Sequence, residues 1–226
     1  YMLDTLRQPL TLPASPAVTE HEARSDYGDT AFKRDVLRCK EYISAGDCMQ
    51  VVLSQRTQRR FEAEPINLYR ALRALNPSPY MYFMHLNDTH VVGASPEILV
   101  KMDAERMATV RPIAGTRKRG TNAAEDARLS ADLRADAKEC AEHLMLIDLG
   151  RNDIGRIADI GTVEVTEQMV IEKYSHVLHM VSNVQGRVRE NLGAIDVLKA
   201  TFPAGRLSGA PKIRAMEIIE ELEPSK

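Results

Sequence analysis

Residues 80–94 read YMYFMHLNDTHVVGA, a stretch that is typical of two antiparallel β-strands. Two runs rich in aromatic and β-branched residues, Tyr80–Leu86 and Thr89–Ala94, flank the turn dipeptide Asn87-Asp88. Such a pattern predicts a β-hairpin. Antiparallel strands need no crossover helix between them, so this stretch argues against strict βαβ alternation.

Further strands are predicted on both sides of the hairpin. They cover Cys48–Ser54, Ile98–Met102, Arg106–Ile113, about 162–166 and about 176–189. A turn is predicted at Asp103–Glu105 and a loop at Ala114–Gly120, since glycine and basic residues replace the apolar alternation there.

Helical periodicity fills most of the remaining chain. Helices are predicted from Asp29 or Thr30 to Gly46, from Pro65 to Asn76-Pro77, at about 123–148, at about 193–201, and at about 209–222 with Ser208 as N-cap. The predicted buried faces are Phe32, Val36, Cys39 and Ile43; Leu68, Leu72 and Leu75; and Leu129, Leu133, Ala137, Cys140, Leu144 and Ile147. Prolines punctuate residues 1–28, which predict a connector. Together these elements predict an α+β fold, with helices covering antiparallel sheets.

Composition excludes several classes of protein. The net charge of -2 over 226 residues lacks the basic footprint of a general nucleic-acid binder, so the runs Arg56–Arg60 and Arg117–Arg119 are interpreted as solvated faces or small-anion contacts. No apolar stretch approaches the roughly 18–20 residues that span a membrane, and no signal-peptide pattern is present. Three cysteines without a CxxC pair indicate neither a disulfide framework nor a zinc site, which favours the cytoplasm.

Three features could carry chemistry. Glu139 and Glu142 lie three residues apart on a predicted helix and could present two carboxylates to Mg²⁺, although such pairs are often simply solvated. His179 could be a general acid or base, or a satisfied core histidine. Ser208 and Gly209 could open a helix N-terminus that holds a carboxylate, or could form an ordinary cap.

Five strings in one order resemble the chorismate-binding enzyme family. They are Lys40–Asp47 with Gln50–Arg56; Arg111–Gly120, reading RPIAGTRKRG; Glu139–Asp153, reading ECAEHLMLIDLGRND; Tyr174–Ser182; and Phe202–Ile219, reading FPAGRLSGAPKIRAMEII. The resemblance covers about residues 25–226, which are therefore expected to form the catalytic domain, with residues 1–24 as a linker or the remnant of an N-terminal portion.

The resemblance implies a choice of nucleophile at two positions. Isochorismate and salicylate synthases of the family carry lysine where Gln50 stands, and that lysine activates water. Many aminodeoxychorismate synthases carry a nucleophilic lysine where Ala114 stands. Gln50 and Ala114 together imply the anthranilate synthase branch, a lyase that converts chorismate and ammonia to anthranilate and pyruvate in tryptophan biosynthesis.

The same resemblance implies a role for each candidate residue. Mg²⁺ would be held by Glu142 with Glu139, and the ammonia would come from a glutamine amidotransferase subunit. The remaining implied roles are catalysis by His179, Glu139, Gln50 and Thr116; substrate binding by Ala114, Gly115, Thr116, Arg206, Ser208 and Gly209; and half of a feedback tryptophan site at Asn76, Pro77, Pro79, Tyr80 and Met81. Neither nucleic acid nor membrane is an expected partner.

The sequence departs from the family pattern in two ways. Family members continue past the position of Lys226 with a glycine-rich segment, carboxylate-binding residues and a second metal-binding glutamate, so we expect the chain alone to be inactive. Arg206 stands where the family usually has threonine, and it could pair with a carboxylate or fill the pocket. The alternatives to the anthranilate synthase interpretation are an aminodeoxychorismate synthase and a non-catalytic domain of the same fold.

Overall fold

The computed structural model describes residues 2–9, 19–174 and 176–224. The helices are α1 (Met2–Arg7), α2 (Asp29–Ala45), α3 (Pro65–Leu75), α4 (Ala123–Ala135), α5 (Ala137–Gly155), α6 (Ala194–Thr201), α7 (Gly205–Ser208) and α8 (Lys212–Leu222). The strands are β1 (Arg24–Ser25), β2 (Gln50–Val51), β3 (Thr57–Gln58), β4 (Tyr80–Leu86), β5 (Thr89–Ser95), β6 (Lys101–Met102), β7 (Met107–Val110), β8 (Ile113–Lys118), β9 (Glu164–Lys173), β10 (Val177–Arg187) and β11 (Gly209–Ala210). The α+β class is confirmed.

The chain forms two compact units. The first combines Tyr1–Ser25 with Arg56–Pro96, and the second combines Asp26–Gln55 with Glu97–Lys226. A single catalytic domain over residues 25–226 stays a prediction. Within the described residues, no helix is both long and apolar enough to cross a membrane.

The first unit contains the predicted hairpin. Strands β4 and β5 pair antiparallel from Tyr80↔Ser95 to Leu86↔Thr89, and Asn87 turns the chain at a φ of 52°. Helix α3 packs on this hairpin, but Leu68 and Leu75 are exposed, so the predicted inward face is wrong for both. A two-stranded hairpin is too narrow to cover the whole apolar stripe of the helix.

The segment predicted as a connector carries regular structure. It contains helix α1, and strand β1 pairs antiparallel with β3. The pairing partner of β1 lies more than thirty residues further along the chain, as Arg24↔Gln58 shows, so local sequence does not reveal it. Pro13 and Pro16, on which that prediction depended, lie outside the described residues.

The second unit is built on an antiparallel sheet centred on β10. One edge of β10 pairs with β9, and the other edge pairs with β8 near its start and with β7 near its end. Helix α5 packs on the sheet, and the main core fills the space between them. The predicted loop at Ala114–Gly120 is wrong, because most of it forms β8. Backbone hydrogen bonds to β10 stabilise the strand at residues 114–118, where the sequence lacks apolar alternation.

The long predicted helix at about 123–148 is two helices that meet at Asp136. The Asp136 carboxylate accepts hydrogen bonds from the backbone N–H groups of Lys138 and Glu139, each at 3.1 Å, and so caps α5. Leu133 and Ile147 are buried as predicted, whereas Leu144 is exposed. Ala137 is also exposed, since it begins a new helix instead of continuing the old stripe.

Helix α2 begins after Gly28 and ends at Gly46, which adopts a left-handed φ of 86°. Its buried residues are Asp35 and Cys39, so the predicted face is wrong for Val36 and Ile43, which are exposed. Asp35 is buried because Tyr27 donates a hydrogen bond to it at 2.7 Å. Burial and this carboxylate raise the pKa of Tyr27 to about 12.

The C-terminal helix starts later than predicted. Pro211 is its N-cap residue, whereas Ser208 ends α7 and donates its hydroxyl to the Ala204 carbonyl at 3.2 Å. Strand β11 separates the two helices and pairs antiparallel with β2, which is the observed part of the predicted strand Cys48–Ser54. The long-range β11–β2 pairing requires extended backbone at Gly209 and Ala210, so the helix cannot begin there.

The carboxylate of Asp126 gives the second unit a pH-dependent contact. Arg119 donates to it at 2.6 Å and the Gly120 N–H at 2.8 Å, and these hydrogen bonds lower the pKa of Asp126. A lowered folded-state pKa stabilises the fold above the unfolded-state pKa, and this stabilisation is lost as pH falls through the folded-state value.

We therefore expect Asp126→Asn to lower the urea midpoint at pH 7. The difference from the unsubstituted chain should shrink below about pH 4. Asp148→Asn is the matched control, because its exposed pair with Arg151 at 3.4 Å contributes little. A difference that stays constant down to pH 2 contradicts the assignment.

Candidate functional site

A cavity of about 250 Å³ in the second unit gathers seven of the ten residues predicted for catalysis, substrate binding and metal binding. Its lining residues are Gln50, Ile113, Ala114, Gly115, Thr116, Glu142, Leu146, His179 and Arg206. They come from β2, β8, α5, β10 and α7. The volume lies near the lower end of the ~300–1,000 Å³ typical of small-molecule sites.

A β-bulge shapes one wall of the cavity. His179 pairs with Thr116 and Met180 with Ala114, so Gly115 between them has no opposite residue. Gly115 has a φ of 65°, and a Cβ there would lie 2.8 Å from Leu133 and 3.2 Å from the carboxylate of Glu139. Only glycine fits this bulge without strain.

The bulge holds the imidazole of His179. Its Nδ1 lies 3.2 Å from the Gly115 carbonyl oxygen and 3.0 Å from the Thr116 hydroxyl. A carbonyl oxygen can only accept, so the Gly115 contact favours the tautomer with hydrogen on Nδ1, which leaves Nε2 as the acceptor nitrogen. The Tyr174 ring meets the imidazole edge-on at 5.4 Å. His179 thus has the geometry of a general acid or base.

The buried core histidine of this region is His143, which the sequence analysis did not single out. It is fully buried, its Nε2 lies 2.7 Å from the Ser182 hydroxyl, and burial lowers its pKa. The core interpretation that was open for His179 therefore applies to His143 instead. The apolar residues that follow it in ECAEHLMLI were the available signal.

Gln50 reaches the cavity through the β2–β11 pairing. Gly209 pairs with Val51 and has a φ of 140°, and a Cβ there would overlap the Gln50 carbonyl oxygen. Ser208 and Gly209 are buried and do not line the cavity; they support the strand that carries Gln50. Within the described residues the buried Gln50 Oε1 has no hydrogen-bond partner, which leaves an acceptor for an N–H donor.

The two candidate metal-binding carboxylates have different surroundings. Glu142 lines the cavity, whereas Glu139 lies beside Gly115 and 3.5 Å from the guanidinium of Arg117. Across the described ranges no group of three or more His, Cys, Asp or Glu side chains could hold a metal ion. Two carboxylates nevertheless suit Mg²⁺, which commonly takes one or two and completes its octahedron with water and substrate oxygens.

Arg117 and Arg119 are not solvated faces. Arg117 donates to Asp132 at 2.8 Å and to Asp136 at 3.0 Å, and Arg119 donates to Asp126. These contacts tie β8 to α4 and to the start of α5. The ion pairs of Arg117 and Arg119 therefore hold β8 against α4 and α5 near Glu139.

A buried ion pair fixes the segment that carries Arg206. Lys212 donates to the Asp153 carboxylate at 2.7 Å and to the Thr201 carbonyl at 3.3 Å. Thr201 precedes residues 202–211 and Lys212 follows them, while Asp153 lies near the end of α5. The lysine therefore connects both ends of this segment to α5. Burial raises the pKa of Asp153 and Lys212 lowers it, with burial the larger effect. This pair was not predicted from the sequence, where the available signal was one charged residue in each of two motif strings.

The chain is similar to a known protein family and to curated members of it. The family described as chorismate binding enzyme matches residues 2–226. "Anthranilate synthase component 1" of Pseudomonas putida is 59% identical over 230 aligned residues, which cover 100% of this chain and 46% of that protein. The chain spans about half the length of the curated relatives it matches.

Two solved structures share the fold. The anthranilate synthase component I of Streptococcus pneumoniae TIGR4 is 42% identical with a TM-score of 0.86, and the match covers 100% of this chain and 50% of that one. The menaquinone-specific isochorismate synthase of Escherichia coli is 21% identical with a TM-score of 0.80, covering 100% and 52%, so it supports the fold alone.

We expect Gly209→Ala to destabilise the second unit and displace Gln50. The new Cβ would meet the Gln50 carbonyl and lie 2.7 Å from Ala215, at a φ that side chains rarely adopt. A loss of about 2 kcal/mol or more in unfolding free energy is expected from urea titration. Gly155→Ala is the control, since a Cβ at this helical glycine meets nothing within 4 Å. Equal stability of the two variants contradicts the close approach.

Substituting Lys212 alone should lower the unfolding free energy more than substituting Lys212 and Asp153 together. Lys212→Met leaves Asp153 buried without its cation, and about 3 kcal/mol of stability should be lost. The double variant Asp153→Asn, Lys212→Met should recover part of this loss. Strictly additive losses in a double-mutant cycle would show that the two side chains do not interact.

Proposed function

The chain belongs to the chorismate-binding enzyme family, and from that premise we propose that it contributes the nucleophile-selecting half of an anthranilate synthase site. The proposed reaction takes chorismate and ammonia to anthranilate, pyruvate and water. The observation that carries the proposal is the convergence of Gln50, Glu142 and His179 on one cavity. Further support comes from the names of the relatives at 59% and 42% identity.

Gln50 supports ammonia as the nucleophile. Its Oε1 is a buried acceptor at the cavity wall with no partner among the described residues. An unsatisfied buried acceptor costs about 1–3 kcal/mol, which an N–H donor such as ammonia would offset. A glutamine side chain has no basic nitrogen with which to activate water. Ala114 likewise offers no nucleophile for a covalent route.

His179 would handle protons during the reaction. Ammonia attacks C2 of chorismate while the 4-hydroxyl leaves as water, and loss of the enolpyruvyl group as pyruvate then gives the aromatic ring. The first step needs a proton at the departing oxygen, and the second removes one from C2. The free Nε2 of His179 suits these transfers, and Gly115 and Thr116 would line the side of the leaving group.

Glu142, with Glu139 beside it, would hold Mg²⁺. The ion would supply charge neutralisation at a substrate carboxylate. Glu139 is also positioned by Arg117, whose other partners, Asp132 and Asp136, keep that guanidinium in place.

Three further expectations belong to this proposal. A glutamine amidotransferase subunit would supply ammonia, and the protein would act in the cytoplasm, where its free cysteines stay reduced. Tryptophan would contact the segment between α3 and β4 in the first unit. Its proposed contacts there are Asn76, Pro77, Pro79, Tyr80 and Met81. Neither a nucleic acid nor a membrane has a place in this function.

Product analysis tests the function. We would incubate chorismate, MgCl₂ and an ammonium salt at mildly alkaline pH with the 226-residue chain and with a form extended to the length of the curated relatives. Anthranilate by fluorescence and pyruvate by a coupled assay should appear in equal amounts from the extended form. His179→Gln in the extended form should reduce both at least ~100-fold.

Other products have separate meanings. A product aminated at C4, without pyruvate, would identify an aminodeoxychorismate synthase. Chorismate binding without turnover by a folded extended form would support a non-catalytic domain. Anthranilate from the chain alone would contradict the expectation that it is inactive by itself and would keep the proposed reaction.

A further inference from the structure

We propose that Arg206 binds a carboxylate of the substrate and that Glu97 is the positioning residue that holds its guanidinium at the cavity wall. The identity of the substrate as chorismate, a dicarboxylate, rests on the proposed function. Arg206 is the one Lys or Arg side chain that lines the cavity within the described residues. A dianion entering this space meets its positive charge there.

The backbone under Arg206 is anchored. Gly205 is buried, and a Cβ at this position would overlap the side chain of Leu149 on α5. Lys212 anchors the far end of the same segment through Asp153. Because both sides of Arg206 are held against α5, its side chain starts from a fixed point, as a binding group requires.

Glu97 fixes the other end of the Arg206 side chain. Its carboxylate contacts the Nη1 atom of Arg206, and only 16% of its own side chain is exposed. Both residues, together with Leu149 and Gly205, also line a second cavity of about 60 Å³. Arg206 thus lines both cavities and Glu97 lines the smaller one, so Glu97 contacts the guanidinium from the side away from the larger cavity.

The guanidinium keeps donors available for a ligand. Arginine presents five N–H donors in a planar fork, and Glu97 engages Nη1. The Arg206 side chain is 38% exposed, so part of it faces accessible space. Burial also lowers the pKa of Arg206, and a second anion would compensate this desolvation. The geometry thus suits a guanidinium shared between Glu97 and a ligand carboxylate.

The charged residues of the cavity distinguish the two carboxylates of the ligand. Glu142 lines the cavity, and it would receive a substrate carboxylate through the Mg²⁺ of the proposed function. Arg206 can receive a second carboxylate directly. We therefore assign the carboxylate farther from the bridging cation to Arg206.

Binding measurements on the 226-residue chain test this assignment. Two probes are titrated by calorimetry with MgCl₂ present: chorismate, and isophthalate as an unreactive dicarboxylate. Arg206→Thr should weaken both at least tenfold, whereas Arg206→Lys should retain part of the affinity, because lysine keeps the charge without the fork. Glu97→Gln should weaken both severalfold. Arg151→Thr is the matched control, because this exposed arginine pairs with the exposed Asp148 one turn earlier in α5.

Folding is monitored separately by circular dichroism and urea midpoint. If Arg206→Thr is unfolded, Arg206→Lys and Glu97→Gln carry the test. Equal or tighter binding of chorismate by Arg206→Thr overturns the assignment and identifies Arg206 as a side chain that fills the cavity. Isophthalate binding that depends on Arg206, with no chorismate binding by the unsubstituted chain, sustains the carboxylate role and contradicts the proposed function. Binding of neither probe overturns the Arg206 proposal.

Discussion

The antiparallel pairing of β8 with β10, interrupted by the unpaired Gly115, is the constraint on which the site depends. The bulge gives Nδ1 of His179 two oxygen contacts and leaves Nε2 as the nitrogen to which the proposed function assigns proton transfer. A regular ladder would pair Gly115 and shift Thr116 to the opposite face of the sheet. The position of the His179 imidazole and the pairing of β8 with β10 therefore depend on the same irregularity.

Charged contacts around this sheet hold the surrounding helices. Arg117 joins β8 to the junction of α4 and α5, and Lys212 joins the end of α5 to the base of α8. These pairs work at different depths: Lys212 and Asp153 are almost fully buried, while Arg117 is only partly so. Loss of one partner would therefore leave a more deeply buried charge at Asp153 than at Asp136, and Arg117 also lies 3.5 Å from Glu139.

Gly209 couples the C-terminal segment to Gln50. Its close approach to the Gln50 backbone excludes every side chain, so the strand that carries the amide is positioned by a glycine nearly 160 residues away in sequence. The Oε1 atom on that side chain is buried and has no hydrogen-bond partner among the described residues, so its acceptor capacity is open to a ligand.

Several local features were predictable because their causes are local. The Asn87-Asp88 turn, the glycine end of α2 and the proline start of α3 follow from backbone preferences of single residues. The motif strings likewise sufficed to predict seven of the cavity-lining residues. Roles assigned to Glu139, Glu142 and His179 stay predictions that chemistry must test.

Long-range contacts decided the rest. A run such as GTRKR has no apolar alternation, so only pairing with β10 makes it a strand. Asp136, where α4 and α5 meet, accepts a hydrogen bond from Arg117, and the extended backbone at Gly209 pairs with β2. In each case the contact is with a partner distant in sequence, which local periodicity does not reveal.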